Sequence, residues 1–560
     1  MRASRISTVV ILVAVLLSAS GAASAGAPQT VDVQILAIND FHASILPPSG
    51  SSGRVWLPGG GTVDAGGAVF LATHIQNLAA TNPNTVVVSG GDMIGASPLI
   101  SALFHDEPTI ETANLLGLDL ATTGNHEFDE GWHELLRMQR GECHPVDGCL
   151  DGDPFYGLDG KFLTANVIKD LNNQTLFPPA YRVLTFDGAK VAFIGIEYEG
   201  TPSIQFPAGL EGLTFLPEVE TANALIGELK AKHIKNFVLI IHNGGWQDGY
   251  YDECVNPTGA LFDVLDQFDP EVDIIIGGHT HSAYNCLIGG KVVTQAMSFG
   301  RVVTDIDLTI DTRSGEITGM TANNVIVTRD VAPDPAMQAL VDKYSALVMP
   351  IAGEVIGSIT ADITRADTTA GESAMGDVVA DAQLWDTTPP DRGGAVMAFT
   401  NSGGLRADLT YDNQYYQELP GEITYGEAFD VQPFYNNLVT MDLSGAQIHI
   451  LLEEQWMGDN WPDGNILAVS NGFTYEWSSS GTEGDMVDPA TIRLNGVTID
   501  PNATYRVTVS SYLAGGSEYS VLADGTNLVF GGMDCDALAG YIGVHSPVAP
   551  GPTDRIGVVP

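Results

Sequence analysis

Basic residues are scarce in this chain: 23 lysines and arginines stand against 69 aspartates and glutamates, a formal net charge of −46. Nucleic acids and anionic membranes both select a basic footprint, so neither is an expected partner. The acids are scattered rather than gathered in runs. That pattern reads as a solvated acidic surface keeping an exported protein soluble, in preference to a cation-scavenging tract. Long hydrophobic runs are missing too: no stretch reaches the roughly 18 apolar residues of a membrane-spanning helix. Cysteine is sparse, at five, and no CxxC pair occurs, which weighs against a cysteine-rich zinc site. Internal repeats and low-complexity blocks are absent, and an apolar content of 44% excludes general disorder.

What is present begins with an address. Arg2 and Arg5 precede an apolar run from Val9 to Leu17, and small residues follow to Ala23-Ser24-Ala25. This order of basic, apolar and small residues predicts a secretory signal peptide over 1–25 and an exported, soluble protein. The rest is too long for one core of about 100–200 residues, so two domains are expected. Five cysteines suit an oxidising compartment with two disulfides and one thiol left over. Cys143 and Cys149 flank the short loop GECHPVDGC and could pair across it. Cys254 and Cys286 each follow a segment carrying a metal-ligand candidate, and their pairing would tie two loops together, leaving Cys535 free.

From residue 31 to about 325, short apolar runs alternate with helical stretches, an α/β pattern. The runs are Val31–Ile38, Thr85–Val88, Val191–Ile196, Phe237–Ile241 and Asp273–Ile276; Ala68–Leu78 and Thr221–Lys232 read as helices between them. Pro335–Val348 reads as a connecting helix. Residues from about 353 onward carry mixed helix and strand signals broken by NSGGLR and LAGGSEY turns, and the proline-rich tail after Ser546 is expected to lie extended on a surface.

The chemistry sits where strands stop. Asp40 and His42 follow the first run in NDFH, Asp92 the second in SGGD, His242 the fourth in IIHNGG, and His279 and His281 the fifth in GGHTH. LDLATTGNHEFD adds Asn125, His126 and Asp129 in the same setting. Loops beyond the carboxyl ends of strands converge in α/β sheets, so these donors are expected at one place. Glycines at 90, 91, 124, 244, 277 and 278 permit tight turns there. Any one of these histidines alone reads as a loop residue, and GNHEFD alone as a helix start. But five of the twelve histidines follow apolar strands, while His74, His133 and His233 sit in amphipathic stretches and read as surface residues. Mixed carboxylate, imidazole and amide donors suit Zn²⁺ first, with Mn²⁺, Co²⁺ or Fe as alternatives, rather than Ca²⁺.

In this order NDFH, GGD, GNHEFD, HNGG and GGHTH resemble the calcineurin-like metallophosphoesterase core, in the wording of the secreted bacterial 5′-nucleotidases. AGESAMGDVVADAQ, NSGGLRADL, VQPFYN and SYLAGGSEY resemble the second domain of that family. The resemblance implies a metallophosphoesterase β-sandwich flanked by helices over 27–334, an interdomain helix at 335–352 and a smaller α+β substrate-binding domain over 353–545, with an extended tail at 546–560. It implies two divalent cations, one held by Asp40, His42, Asp92 and His281, the other by Asp92, Asn125, His242 and His279. His126, oriented by Asp129, would act on the phosphoryl or leaving-group oxygen. By the same resemblance Phe434 and Tyr512 would sandwich a nucleotide base, and Asn401, Arg406 and Arg365 would hold polar parts of the substrate. No protein partner is implied.

The chain departs from the family in two places. Gly371 stands where an arginine usually precedes the GES-like motif, so Arg365 takes that role provisionally. The SYLAGGSEY turn lacks the usual acid that contacts ribose, with Ser517 and Glu518 nearby. Rotation of the second domain about the Pro335–Ile351 segment is also implied. Alternatives on the same core are hydrolysis of UDP-sugars, cyclic nucleotides, dinucleotides or a sulfur ester. An alternative from another class is a surface-binding protein that has kept the fold without activity.

Overall fold

The computed structural model describes residues 30–560 apart from 49, 206, 413–415, 417, 435, 463 and 517. The expected signal peptide and Ser517 therefore lie outside the described residues. Two six-stranded sheets make the first region. One runs Ile317–Ile326, Val302–Asp311, Thr30–Ile38, Thr85–Ser89, Leu120–Thr122 and Lys161–Leu163; the other runs Ala283–Ile288, Lys291–Ala296, Val272–Ile276, Phe237–Ile241, Ala189–Ile196 and Tyr181–Phe186. The central pairs of each sheet are parallel.

Alternation along the strands explains why their sequences read as unbroken apolar runs. Val33 and Ile35 point into the gap between the sheets, where they meet Phe193, Val238, Ile240 and Ile274. Leu36 and Ile38 point the other way, onto the helices Ala68–Ala79 and Glu107–Leu116. In the second sheet Ala192, Ile194, Leu239 and Ile241 face outward onto the helix Glu218–Ala231. Strands buried on both faces have no polar face to show. The architecture is the helix-flanked β-sandwich that the resemblance implied.

Pro335–Ala352 is one helix, capped by the Asp334 carboxylate, which accepts from the N–H groups of Ala336 and Met337. Met337, Leu340, Val341, Tyr344 and Val348 share a core with the first region, and the Tyr344 hydroxyl donates to Glu111 and Asp151. The hinge expected within Pro335–Ile351 falls on this helix, whose core also takes in Phe429 and Cys535 of the second region.

The second region is built on a five-stranded sheet, Leu467–Val469, Met397–Asn401, Thr504–Ser510, Asn437–Ser444 and Thr526–Met533, with the helices Ala374–Thr387 and Asp534–His545. The segment after Ser546 is extended, as expected, but it is not a loose tail. Ile556–Val559 pairs in parallel with Phe473–Thr482. Just before it, Arg555 binds both oxygens of Asp381 at 2.8 Å, and its backbone N–H is taken by the buried Glu372. The charge of Arg555 among otherwise buried acids is what holds the segment in. Both cysteine pairs, Cys143–Cys149 and Cys254–Cys286, are disulfides, and Cys535 is a buried free thiol.

Candidate metal centre

Five strands of the two sheets deliver donors at their carboxyl ends. Asp40 stands two residues beyond Ile38, Asp92 beyond Ser89, Asn125 beyond Thr122, His242 directly after Ile241 and His279 beyond Ile276. The turns are tight enough to force left-handed backbone on side-chain-bearing residues: φ is 48° at Asp40, 44° at His42, 50° at Asp92, 72° at His279 and 54° at His281. Such conformations cost about 1–3 kcal/mol each and persist only where the surroundings impose them. Gly91, at φ 93°, and Gly124 are required for a second reason: a Cβ on either would run into the His242 imidazole, and at Gly124 also into the Asp92 carboxylate.

The donors fall into two groups, Asp40 with His42 and His281, and Asp92 with His242 and His279; within each, one atom per residue lies within 4.8 Å of the others. Asp92 lies between the groups, with Oδ2 3.1 Å from His242 Nε2 and 3.7 Å from His42 Nε2. The Asn125 carboxamide oxygen is 3.0 Å from His279 Nδ1. His242 Nδ1 binds the Gly90 carbonyl at 2.8 Å and His42 Nδ1 that of Gly95 at 3.0 Å, which turns both Nε2 atoms inward. Backbone carbonyls commonly orient metal-binding imidazoles in this way.

Several features fit divalent cations. His242 Nε2 is buried and makes no aligned hydrogen bond, despite its nearness to Asp92. His42 Nε2 and His281 Nε2 face each other at 3.0 Å, with carboxylate oxygens of Asp92 and Asp40 at 3.7 and 3.5 Å from them respectively. Burial pushes the Asp40 carboxyl up to about 7 and the His42 imidazole down to about 4, so charge on either is costly in the protein alone. Burial also opposes charge on Asp92, but the neighbouring His242 and His126 outweigh it and hold that carboxyl well below its ordinary value.

His126 lies beside this centre, its ring centroid 5.1 Å from that of His42. Its Nδ1 is 2.9 Å from Asp129 Oδ2, and its backbone N–H donates to Asp92. Asp129 is held in turn by the Ala96 N–H and the Gln205 amide, each at 2.8 Å. Burial lowers the proton affinity of His126, yet the charges of Asp129 and Asp92 prevail and hold it up at about 9.

One residue that the sequence reading passed over underlies all of this. Glu127 is buried, and its carboxylate accepts from the backbone N–H groups of Asp92 (2.8 Å), Met93 (2.7 Å) and Gly124 (2.5 Å). It ties the Asp92 turn to the Asn125–His126 turn. In the sequence it reads only as part of a helix start, and the acid three residues after Gly124 is the one signal of a cap. Tyr198, stacked on His279 at 4.7 Å, also carried no sequence signal. Of the histidines read as surface residues, His133 and His233 are exposed, while His74 is half-buried, with Nε2 3.1 Å from the Thr328 carbonyl.

The five residues expected to bind substrate form two clusters in the second region. Arg406 lies over the Phe434 ring at 5.7 Å; burial and the nearby Arg365 both lower its proton affinity. Arg365 is itself engaged by Asp408 at 3.0 Å and by the Leu405 carbonyl. Asn401 and Tyr512 meet on Glu518, which accepts from the Asn401 amide at 3.2 Å, the Asn465 amide at 3.4 Å and the Tyr512 hydroxyl at 3.1 Å. The turn that follows Tyr512 reaches the first region, since a Cβ on Gly515 would strike the Ser203 carbonyl. Ser203 is two residues from Gln205, the partner of Asp129, so the second region abuts the first beside the candidate centre.

Comparison with known proteins agrees with this layout. Residues 33–283 match the calcineurin-like phosphoesterase family and residues 355–524 the 5′-nucleotidase C-terminal domain. The chain is 32% identical over 539 residues to Endonuclease YhcR of Bacillus subtilis, covering 94% of this chain and 41% of that protein. It is 29% identical over 529 residues to Cell wall protein Lmo0130 of Listeria monocytogenes, covering 89% of this chain and 65% of that one. The chain thus spans less than two thirds of the length of these two relatives. The crystal structure of the 5′-nucleotidase precursor from Thermus thermophilus superposes with a TM-score of 0.66 at 26% identity, over 94% of this chain and 99% of that one. The chain belongs to the calcineurin-like phosphoesterase family, with a 5′-nucleotidase C-terminal domain after its phosphoesterase domain.

Proposed function

We propose that this protein is an exported phosphomonoesterase that hydrolyses nucleoside 5′-phosphates to nucleoside and phosphate, using two divalent cations. The observation that carries the reading is the pair of donor groups on either side of Asp92, with His126 and Asp129 alongside. Asp40, His42, Asp92 and His281 would hold one cation; Asp92, Asn125, His242 and His279 would hold the other. Bound there, the cations would supply Lewis acidity toward phosphoryl oxygens and acidify water.

The remaining work belongs to the chain. With Nδ1 engaged by Asp129, protonated His126 presents its Nε2 proton to a phosphoryl or leaving-group oxygen. Asp129, fixed by Ala96 and Gln205, keeps the imidazole in that orientation. Phe434 and Tyr512 would take the faces of the base, a contact that tolerates different bases. Arg406 and Arg365 would supply the positive charge that an acidic chain must provide locally for an anionic substrate. Export is supported by the two disulfides and by a Listeria relative named a cell wall protein.

Phosphodiester cleavage is a second reading, favoured by the endonuclease relative; the charge of −46 speaks against a polynucleotide as its substrate. The test measures phosphate release from AMP beside turnover of UDP-glucose and bis-p-nitrophenyl phosphate, before chelation, after it and after metal is restored. Metal-dependent release fastest from AMP is expected. Turnover of the diesters alone would replace the monoesterase reading, and no turnover with any metal would favour a binding protein.

A further inference from the structure

A second constellation of metal-binding side chains lies outside the centre described above. His105 and His144, from distant segments, come together with Glu134: one ring nitrogen of each histidine and one carboxylate oxygen lie within 4.8 Å of one another. Asp147 stands beside the two histidines, with Oδ2 3.0 Å from His105 Nε2 and 3.1 Å from His144 Nδ1. Both imidazole nitrogens thus turn toward the Asp147 carboxylate, and His144 Nδ1 also accepts from the Asp147 backbone N–H at 3.2 Å. The other nitrogen of His105, Nδ1, is 2.7 Å from Glu130 Oε2. This is the carboxylate–histidine arrangement that sets the tautomer of a zinc-binding imidazole and leaves its second nitrogen for the ion. Glu134 is fixed from behind by Arg137, whose Nε donates to both of its oxygens at 2.9 and 3.0 Å, and a carboxylate has lone pairs to spare for a further partner.

We propose that His105, His144, Glu134 and Asp147 form a structural zinc site, separate from the catalytic pair. Two imidazoles and two carboxylates are a donor set that suits four-coordinate zinc. The side chains of His105, Glu134 and His144 are 20%, 13% and 16% exposed and that of Asp147 is 46% exposed, so three donors are sheltered and the fourth closes the site from the solvent side. The rings stack at 3.9 Å with 19° between their planes, so coordination turns one of them about its Cβ–Cγ bond to bring both nitrogens into line with the ion.

The position gives the ion a purpose. His144 and Asp147 lie in the loop closed by Cys143–Cys149. His105, at φ 51°, precedes Asp106, which accepts from the Gly95 N–H, and Gly95 carries the carbonyl that orients His42. Glu130 follows Asp129. Zinc here would therefore fasten the disulfide loop to both segments that frame the catalytic dyad.

The full chain, stripped with a chelator, reloaded with zinc and desalted, is assayed for metal by plasma mass spectrometry beside His144→Asn. One more zinc ion per wild-type chain than per variant is expected, and equal content overturns the site. A measurement on the unmutated chain guards against a misfolded variant: acylation of His144 by diethyl pyrocarbonate, read by peptide mass with and without zinc. Protection of at least about fivefold is expected from ligation of its ring nitrogen. Unchanged acylation overturns the proposal, because zinc at the catalytic pair alone cannot shield a ring in this loop.

Discussion

The dyad of His126 and Asp129 makes a demanding prediction, because the proposed function gives the two side chains unequal and dependent roles. Removing the imidazole in His126→Ala takes away the proposed general acid, and a lost general acid costs about 10²–10⁴ in turnover. Asp129 touches no donor of the two metal groups and acts through His126. Its hydrogen bond to a charged imidazole is worth about 1.5–3 kcal/mol, so Asp129→Asn should cost about 10–150-fold in kcat with little change in KM. The double variant should be no slower than His126→Ala, since an orienting carboxylate has nothing left to orient. Metal content should stay at the wild-type level in all three, because the His126 contact with Asp92 runs through its backbone N–H, which the substitutions leave in place. The pH profile adds a signature. Burial works against the His126 proton while Asp129 and Asp92 sustain it, so Asp129→Asn should move the alkaline limb to lower pH. Steady-state kinetics with AMP and metal analysis of the same samples suffice. Multiplicative losses in the double variant, or lost metal in His126→Ala, would refute the reasoning.

Three further perturbations follow from the same geometry. Gly124→Ala places a methyl against Asp92 and His242, and overpacking of about 1–3 kcal/mol should weaken metal binding about 5–150-fold in a zinc titration. Phe434→Ala or Tyr512→Ala should raise KM for AMP by the equivalent of about 1–3 kcal/mol while leaving p-nitrophenyl phosphate hydrolysis unchanged; an equal effect on both substrates would mean that the rings are structural. Burial pushes Asp534 up to about 7 in the folded chain, so its contribution to stability is present below its ordinary value of 3.8 and lost as pH rises through 7. Asp534→Asn should therefore unfold like the wild type near pH 4 and gain roughly 1–4 kcal/mol on it at pH 8 in urea titrations.

The sequence was readable where one residue type could have only one cause. Phe237–Ile241 has no polar position because both of its faces are buried, and the change from Ile241 to His242 marks both the strand end and the centre. Features that depend on distant partners were not readable. Glu127 acts by collecting backbone N–H groups from a turn 35 residues away, which leaves no pattern of its own. His105 and His144 lie in segments whose meeting depends on a disulfide loop. Pro335–Ala352 was legible as a helix but not as a docked one, since an apolar stripe does not name what it covers. Ile556–Val559 is too short to announce a strand, and only its partner Phe473–Thr482 makes it one.

The placement of that last strand bears on biosynthesis. The sheet that receives it starts at Phe473, and the acids that receive Arg555 begin at Glu372, nearly two hundred residues upstream. Until residue 559 has left the ribosome, Glu372, Asp377 and Asp381 share a pocket with no counter-charge, and the edge of Phe473–Thr482 lies open. A nascent chain halted short of this point would carry an unfinished second domain, exposed to proteases and to strand exchange with its neighbours. The two sheets of the first region, by contrast, have all their strands by residue 326. The sheet of Phe473–Thr482 should therefore be among the last parts of the chain to be completed.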